Sequence, residues 1–248
     1  MVICMKNNPI AFFDSGIGGI TILKEVMKSL PHEDYIYYPD SVNNPYGNKS
    51  KSELFKIVDG IVANLLIYKP KIIVCACNTA TTMVLKDIRE KYRNVVFIGT
   101  EPAIKVLFDK YKDKKSIVLT TKGTKDSERF KELCRMYKTN NCFLVEAPLL
   151  AGLIERGDNT REYLYDLLKD FNDIEVVVLG CTHFPIVKKE IKEVLGDVLF
   201  IDGANGIANR IFNILDSSSS FNESGGKMDI LTNDDNIKKR IIDVLDNL

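Results

Sequence analysis

Short apolar, β-rich runs alternate with helix-period stretches along most of this chain, and few architectures accommodate that order. Strand-like runs at 10–13, 35–38, 72–76 and 95–98 are each followed by a helical pattern, at 17–29, 50–68, 80–91 and 103–110. The alternation resumes with strands at 116–119, 142–145 and 175–179, leading to helical stretches at 127–137, from Glu155 onward and at 185–195, and then to a strand at 198–201. A strand can lie parallel to its predecessor only if a crossover carries the chain back, and the intervening helices supply it. The order therefore predicts an α/β fold, with mainly parallel sheets covered by helices on both faces. With 248 residues, 45% of them hydrophobic, the chain can bury a large core as one large or two ordinary domains.

Two internal likenesses favour two domains. IIVCACNT at 72–79 and VVVLGCTH at 176–183 each read as an apolar strand that ends in a cysteine followed by polar groups, with Cys77 and Cys181 104 residues apart. The strand before DSG at 14–16 and the strand before TTKGT at 120–124 open into comparable loops, with Gly16 and Gly123 107 residues apart. Similar offsets point to duplicated, pseudo-symmetric halves. Gly and Pro follow a strand in IGTEP at 98–102, and two glycines follow one in DGANG at 202–206, marking two crossings between domains. The expected division is 1–98 plus 207–248 for the first domain and 99–206 for the second. A turn-rich tail with serines at 217–220 and the Gly225-Gly226 pair precedes a strand at 228–232 and a terminal helix, expected to pack back on the first domain.

Lys plus Arg and Asp plus Glu both number 34, so no net field draws the chain to nucleic acid or anionic lipid, and a small-molecule partner is expected. The longest apolar runs fall far short of the roughly 18 residues a membrane span requires, and residues 1–8 lack the apolar core of an export signal. A soluble, cytoplasmic protein with its six cysteines reduced is the expectation. Cys75 and Cys77 would share one face of a strand, but with only two histidines, His32 and His183, ligands for zinc are scarce and no metal is expected.

In open α/β sheets ligands bind beyond the carboxyl ends of the strands, where Cys77 and Cys181 stand. Free cysteine is often a small buried hydrophobe, the reading that suits Cys75 inside its strand. Beside Cys77 and Cys181, however, CNT and CTH put polar groups where a strand core would put apolar atoms. DSGIGG at 14–19 follows a strand and opens a helix, so its amides would favour an anion; Asp14 could equally cap that helix. DSVNNPYG at 40–47 reads as a loop around the Tyr46 hydroxyl, or simply as a surface turn. His183 is either a satisfied structural histidine or an imidazole placed to help ionise a thiol two residues away.

FDSGIGG at 13–19, PYG at 45–47, ACNTAT at 76–81 and LGCTHFP at 179–185 together, in this order and spacing, resemble the glutamate racemases of the aspartate/glutamate racemase superfamily. The similarity extends through TKGT at 121–124 with Ser127, LIE at 153–155 and DG at 202–203, which covers nearly the whole chain. Departures are Phe130 where tyrosine is common, Ala147 where cysteine often precedes the proline, and a linker one residue short at 100–102. The resemblance implies two flavodoxin-like domains with the active site in their cleft, no cofactor, and a homodimer that supplies D-glutamate for peptidoglycan. It makes Cys77 and Cys181 the two acid/base groups, assisted by Asp14 and His183. It assigns contacts with the amino acid to Asp14, Ser15, Tyr46, Gly47, Asn78, Thr79, Thr182 and His183, and sets an acidic residue, Glu155, near the site. Racemisation of aspartate or another acidic amino acid remains open, as do a non-catalytic amino-acid-binding module and a cysteine-nucleophile hydrolase, although the last leaves one thiol without a task.

Inverting an α-carbon without a cofactor requires removing its proton on one face and delivering another on the opposite face. Two groups must therefore flank the carbon. Thiols, with an ordinary pKa of about 8.5 that neighbours can tune, suit both roles near neutrality.

Overall fold

A computed structural model describes residues 6–138 and 140–247; Cys4 and most of the 1–8 stretch read for export signals lie outside the described residues. The first half forms β1 (Ile10–Asp14), β2 (Tyr35–Pro39), β3 (Ile72–Cys75) and β4 (Phe97–Gly99), and the second β5 (Ser116–Thr120), β6 (Cys142–Glu146), β7 (Val176–Gly180) and β8 (Leu199–Ile201). One further strand, β9 (Met228–Ile230), returns from the tail. The sheets run β4-β3-β1-β2-β9 and β6-β5-β7-β8, and every pairing is parallel. Read from the other edge, the second sheet is β8-β7-β5-β6, the same order as β4-β3-β1-β2. The two halves are thus topological repeats, as the strand-end motifs suggest.

The helices of the first half are α1 (Ile20–Ser29), α2 (Lys51–Leu66), α3 (Asn78–Met83) and α4 (Leu85–Lys91); those of the second are α5 (Ile104–Tyr111), α6 (Lys122–Asp126), α7 (Glu128–Met136), α8 (Leu150–Arg156), α9 (Arg161–Leu168) and α10 (Lys188–Leu195). Two more, α11 (Ala204–Ser217) and α12 (Asp235–Asn247), follow the second crossing. Strand alternation divides the core into layers. Ile10, Phe12, Ile72 and Val74 face α1, α11 and α12, while Ala11, Phe13, Ile73 and Cys75 face α2 and α4. In the second sheet Ile117, Leu119, Val177 and Leu179 pack towards α8, α9 and α10, and Val118, Val176 and Val178 towards α5 and α7. Central strands buried on both faces explain why they read as unbroken apolar runs.

Three details differ from the periodicity reading. The first helix begins at Ile20 rather than at residue 17, because 15–19 form a loop over the carboxyl end of β1. The single helix expected at 80–91 starts earlier and breaks at Val84, whose φ of −131° leaves the helical region. The one-turn α6 occupies the stretch before the helix expected at 127–137.

Beneath the first sheet, at the amino end of β3, the fully buried Lys71 side chain pairs with Glu33 and donates to the Ser220 carbonyl at 2.9 Å. Among the described residues no helix is long and apolar enough to cross a membrane, and Cys75, Cys77, Cys134, Cys142 and Cys181 are all free thiols.

Candidate active site

Connections leave β1 and β3 towards opposite faces of the first sheet, which opens a crevice beyond their carboxyl ends; β5 and β7 do the same in the second. Asp14 ends β1, Cys77 follows β3, Thr121 follows β5 and Cys181 follows β7. The crevices face each other. Ser15, Tyr46, Gly47, Cys77, Asn78, Thr79, Thr121 and Cys181 line one small cavity between the lobes, about 20 Å³ in volume. Asp14, Thr182 and His183 stand directly behind it, fully or almost fully buried.

The loop at 14–19 does not present an empty anion cradle, contrary to the sequence expectation. Asp14 Oδ2 accepts the Gly19 N–H at 2.7 Å, and Glu155 Oε2 accepts the Ile17 N–H at 2.9 Å, so the chain's own carboxylates take these donors. The glycines are there for closeness: a Cβ on Gly16 would collide with the Glu155 carboxylate, and one on Gly18 with the His183 imidazole. Asp14 therefore steadies the start of α1 and also faces the site, where Thr182 Oγ1 lies 3.4 Å from its Oδ2. Burial raises the Asp14 carboxyl to about 6, against the opposing charge of His183 and bonds from Ser15 and Gly19.

Cys181 and His183 form the second cluster. Cys181 Sγ lies 3.9 Å from His183 Nδ1, and His183 Nε2 meets Glu155 Oε2 at 2.7 Å. Glu155 also accepts the Ser41 hydroxyl at 2.8 Å, so it ties His183 to two loops of the first lobe. Burial alone would pull the imidazole down, but its bonds to Cys181 and Glu155 and the charges of Cys181 and Asp14 outweigh it and hold His183 well above its ordinary value. Burial likewise pushes Glu155 up, and the His183 bond and charge, with the Ile17 and Ser41 bonds, bring it below the usual carboxylate range.

Cys77 caps α3 in extended backbone, with Sγ 3.9 Å from Ser15 Oγ. Burial, with the Asp14 charge next, pushes this thiol well above its ordinary value. Cys75, wholly buried, is pushed up to about 12 by the same cause and points into the core. Asn78 Nδ2 donates to the Thr100 carbonyl at 3.2 Å, joining α3 to the first crossing between lobes. Thr79 Oγ1 spans the cleft to Thr121 Oγ1 at 2.9 Å and Thr124 Oγ1 at 3.2 Å. Tyr46 is no surface turn: it is buried, and its hydroxyl donates to Asp40 Oδ2 at 2.6 Å. Sequence reasoning assigns nothing to Asp40, Ser41, Thr121 or Thr124, although all four sit in the DSVNNPYG and TKGT segments it singles out.

A larger groove, about 670 Å³, follows the two crossings and is lined by Arg89, Glu101, Asp202 and Arg210 among others, but it contains neither thiol. Both thiols line the smaller cavity. There, two thiols from equivalent strands flank one space, one beside an imidazole and the other beside a hydroxyl and a carboxyl, an arrangement suited to moving protons on two sides of a bound molecule.

The chain is similar to known proteins in sequence and in fold. The family model for Asp/Glu/Hydantoin racemase matches residues 34–211. A glutamate racemase of Clostridium acetobutylicum is 42% identical over 236 residues, covering 92% of this chain and 92% of the relative. Among solved structures, the Francisella tularensis glutamate racemase in complex with D-glutamate superposes with a TM-score of 0.82 at 26% identity, covering 98% of this chain and 95% of that one. The Escherichia coli glutamate racemase, solved with L-glutamate and the activator UDP-MurNAc-Ala, gives 0.82 at 28% identity, covering 97% and 95%. With a family model spanning most of the sequence and relatives matching nearly end to end, the chain belongs to the Asp/Glu/hydantoin racemase family.

Proposed function

We propose that the chain interconverts L- and D-glutamate without a cofactor, by proton transfer between Cys77 and Cys181 on opposite faces of the α-carbon, and so supplies D-glutamate for peptidoglycan. The observation that carries this reading is the convergence of the two strand-end thiols on one cavity. The choice of glutamate rests on the names of the relatives and on the glutamate complexes among the solved structures.

In this proposal burial and the Asp14 charge oppose a thiolate at Cys77, while the Cys181 sulfur lies 3.9 Å from the His183 ring. A substrate bound between them loses its α-proton to one sulfur and receives one from the other, and the roles reverse for its enantiomer. The orphan amides in the first turn of α3, with the hydroxyls of Ser15, Thr79 and Thr182 and the Asn78 amide, are the donors available to the α-carboxylate as negative charge builds there. Asp14 is the carboxylate available to the ammonium group. Tyr46 and Gly47 wall the cavity on the first lobe. About 20 Å³ holds roughly one water, so substrate entry requires the lobes to part along the crossings near Thr100 and Gly203. The lobes are taken as 1–98 with 207–248, and 99–206, α11 leaving the second lobe in its first turn. A homodimer is part of the proposal, tested by light scattering of the purified protein.

Polarimetry of the purified protein with each enantiomer of glutamate and of aspartate, without pyridoxal phosphate, tests the reading. Glutamate is expected to racemise from both sides, with kcat/KM at least about tenfold above that for aspartate. Faster turnover of aspartate would reassign the substrate, and no turnover of any enantiomer would defeat the proposal.

The Asp14 carboxyl is ionised above pH 6 and protonated below it. If it receives the substrate ammonium, kcat/KM should fall as pH drops through about 6, and Asp14→Asn should lower kcat/KM by about two orders of magnitude at pH 8. A profile flat between pH 5 and 8 would remove Asp14 from this role.

A further inference from the structure

We propose that Arg240 is a positioning residue for this site: from the C-terminal helix of the first lobe it grips the last-turn carbonyls of α8 in the second, and so fixes Glu155 against His183 while the cleft is closed. The inference rests on the racemase reading above and concerns a residue remote from both thiols in sequence.

α8 ends at Arg156, and the final carbonyls of any helix lack partners within it. Here the Gly157 N–H already reaches the Ile154 carbonyl at 3.1 Å and the Asp158 N–H the Leu153 carbonyl at 2.9 Å; Arg240 adds a second donor to Ile154, from Nη2 at 2.7 Å, and gives the Glu155 carbonyl a partner in Nη1. A guanidinium suits this place because it presents two donors in a fixed fork and its charge opposes the negative end of the helix dipole. Gly157, at φ +77°, lets the chain turn away under the guanidinium, where a Cβ would lie 3.4 Å from Nη2. The arm that carries Arg240 is itself fixed. Its neighbour Ile241 is fully buried in the core with α1 and α11, and Lys24 on α1 donates to the Leu245 carbonyl of α12.

Glu155 is consequently held from the first lobe at both ends. Its carboxylate is held by Ile17 and Ser41 and its main chain by Arg240, while the same carboxylate receives His183. Without the grip on its main chain, the last turn of α8 keeps only the Gly157 and Asp158 amides as caps and the Glu155 carbonyl loses its donor, so the 2.7 Å contact with His183 loses part of its support. The charged and titratable groups around His183 are Glu155 from α8, Asp14 from β1 and Cys181 just after β7; Arg240 acts on the first of these through its backbone.

Arg240→Met keeps the length of the side chain and removes its donors, whereas Arg240→Lys keeps the charge and one point of attachment. In Arg240→Met, kcat is expected to fall about tenfold with KM within about twofold, and the alkaline arm of the kcat/KM profile to move to lower pH, because a loosened Glu155 supports the imidazolium less. Arg240→Lys should recover part of both. Loss of thermal stability in Arg240→Met with unchanged kcat and pH profile would make Arg240 a simple brace and overturn the proposal. The chain has two histidines, so ¹⁵N-histidine NMR resolves His183 from His32 independently of turnover. The His183 titration midpoint is expected to fall in Arg240→Met; an unmoved midpoint overturns the proposal even if the substrate reading holds. A wild-type protein that racemises nothing would instead sink the reading on which it rests.

Discussion

Replacing either Cys77 or Cys181 with alanine is expected to reduce racemisation by at least about 10³-fold, with the double variant little worse than the single ones. General acid–base groups contribute on the order of 10²–10⁴, and two groups that act in one transfer are not additive when removed. The fold should tolerate both changes, since each deletes a single sulfur from a side chain that lines the small cavity at the edge of a core layer, and thermal melts should shift by no more than a few degrees. A sharper result concerns exchange. With Cys77 gone, Cys181 still faces one side of the carbon, so the enantiomer presenting its α-proton there should wash proton into solvent without inverting. Cys181→Ala should exchange only the opposite enantiomer. Full racemisation in either variant would contradict the two-thiol account.

The largest effect on stability is expected from Lys71→Met. Lys71 is wholly buried, its ammonium paired with Glu33 and bonded to the Lys6 carbonyl at 2.8 Å and the Ser220 carbonyl at 2.9 Å. Glu33 Oε1 in turn accepts the Asn222 N–H at 2.9 Å, while the Oε2 contact with Lys71 is ionic and lacks hydrogen-bond alignment. Removing one partner strands a buried charge, which costs about 3–5 kcal/mol, whereas removing both costs much less. For a protein of this size that is a fall in Tm of roughly 6–20 °C by calorimetry, largely recovered in the Glu33→Gln/Lys71→Met double variant. Because the pair lies at the amino end of β3 and Cys77 at the carboxyl end, kcat well below the melting transition should change little. A Tm within 2 °C of the wild-type protein in the single variant would contradict this account of the buried pair.

Much of the fold is legible because it depends on patterns that survive without tertiary knowledge. Central parallel strands must be apolar on both faces, so β1, β3, β5 and β7 announce themselves as unbroken runs, and the Pro after β4 and the glycines after β8 mark the crossings. The strand-end positions of Cys77 and Cys181 follow from the same patterns. What stays hidden is set by partners far away in sequence. Nothing near Gly16 says that Glu155, 139 residues on, fills the space a side chain would take or that it and Asp14 consume the loop amides. The break at Val84 and the Thr79 bridge to Thr121 depend on how α3 meets its neighbours, not on helix periodicity. Lys71 reads as one surface lysine among many until Glu33 and the 220–222 segment close over it, and Arg240 reads as the polar face of an amphipathic helix until α8 is beside it.

The central claim, proton transfer by two thiols on opposite faces of one carbon, is tested most directly by racemisation in D2O stopped within the first few per cent of turnover. Starting from L-glutamate, the D-glutamate formed should carry deuterium at the α-carbon while the recovered L-glutamate retains its proton, and the mirror result should hold from D-glutamate. D-glutamate that keeps the original α-proton, or recovered L-glutamate labelled as fast as the product, would mean that one group serves both faces and would contradict the account.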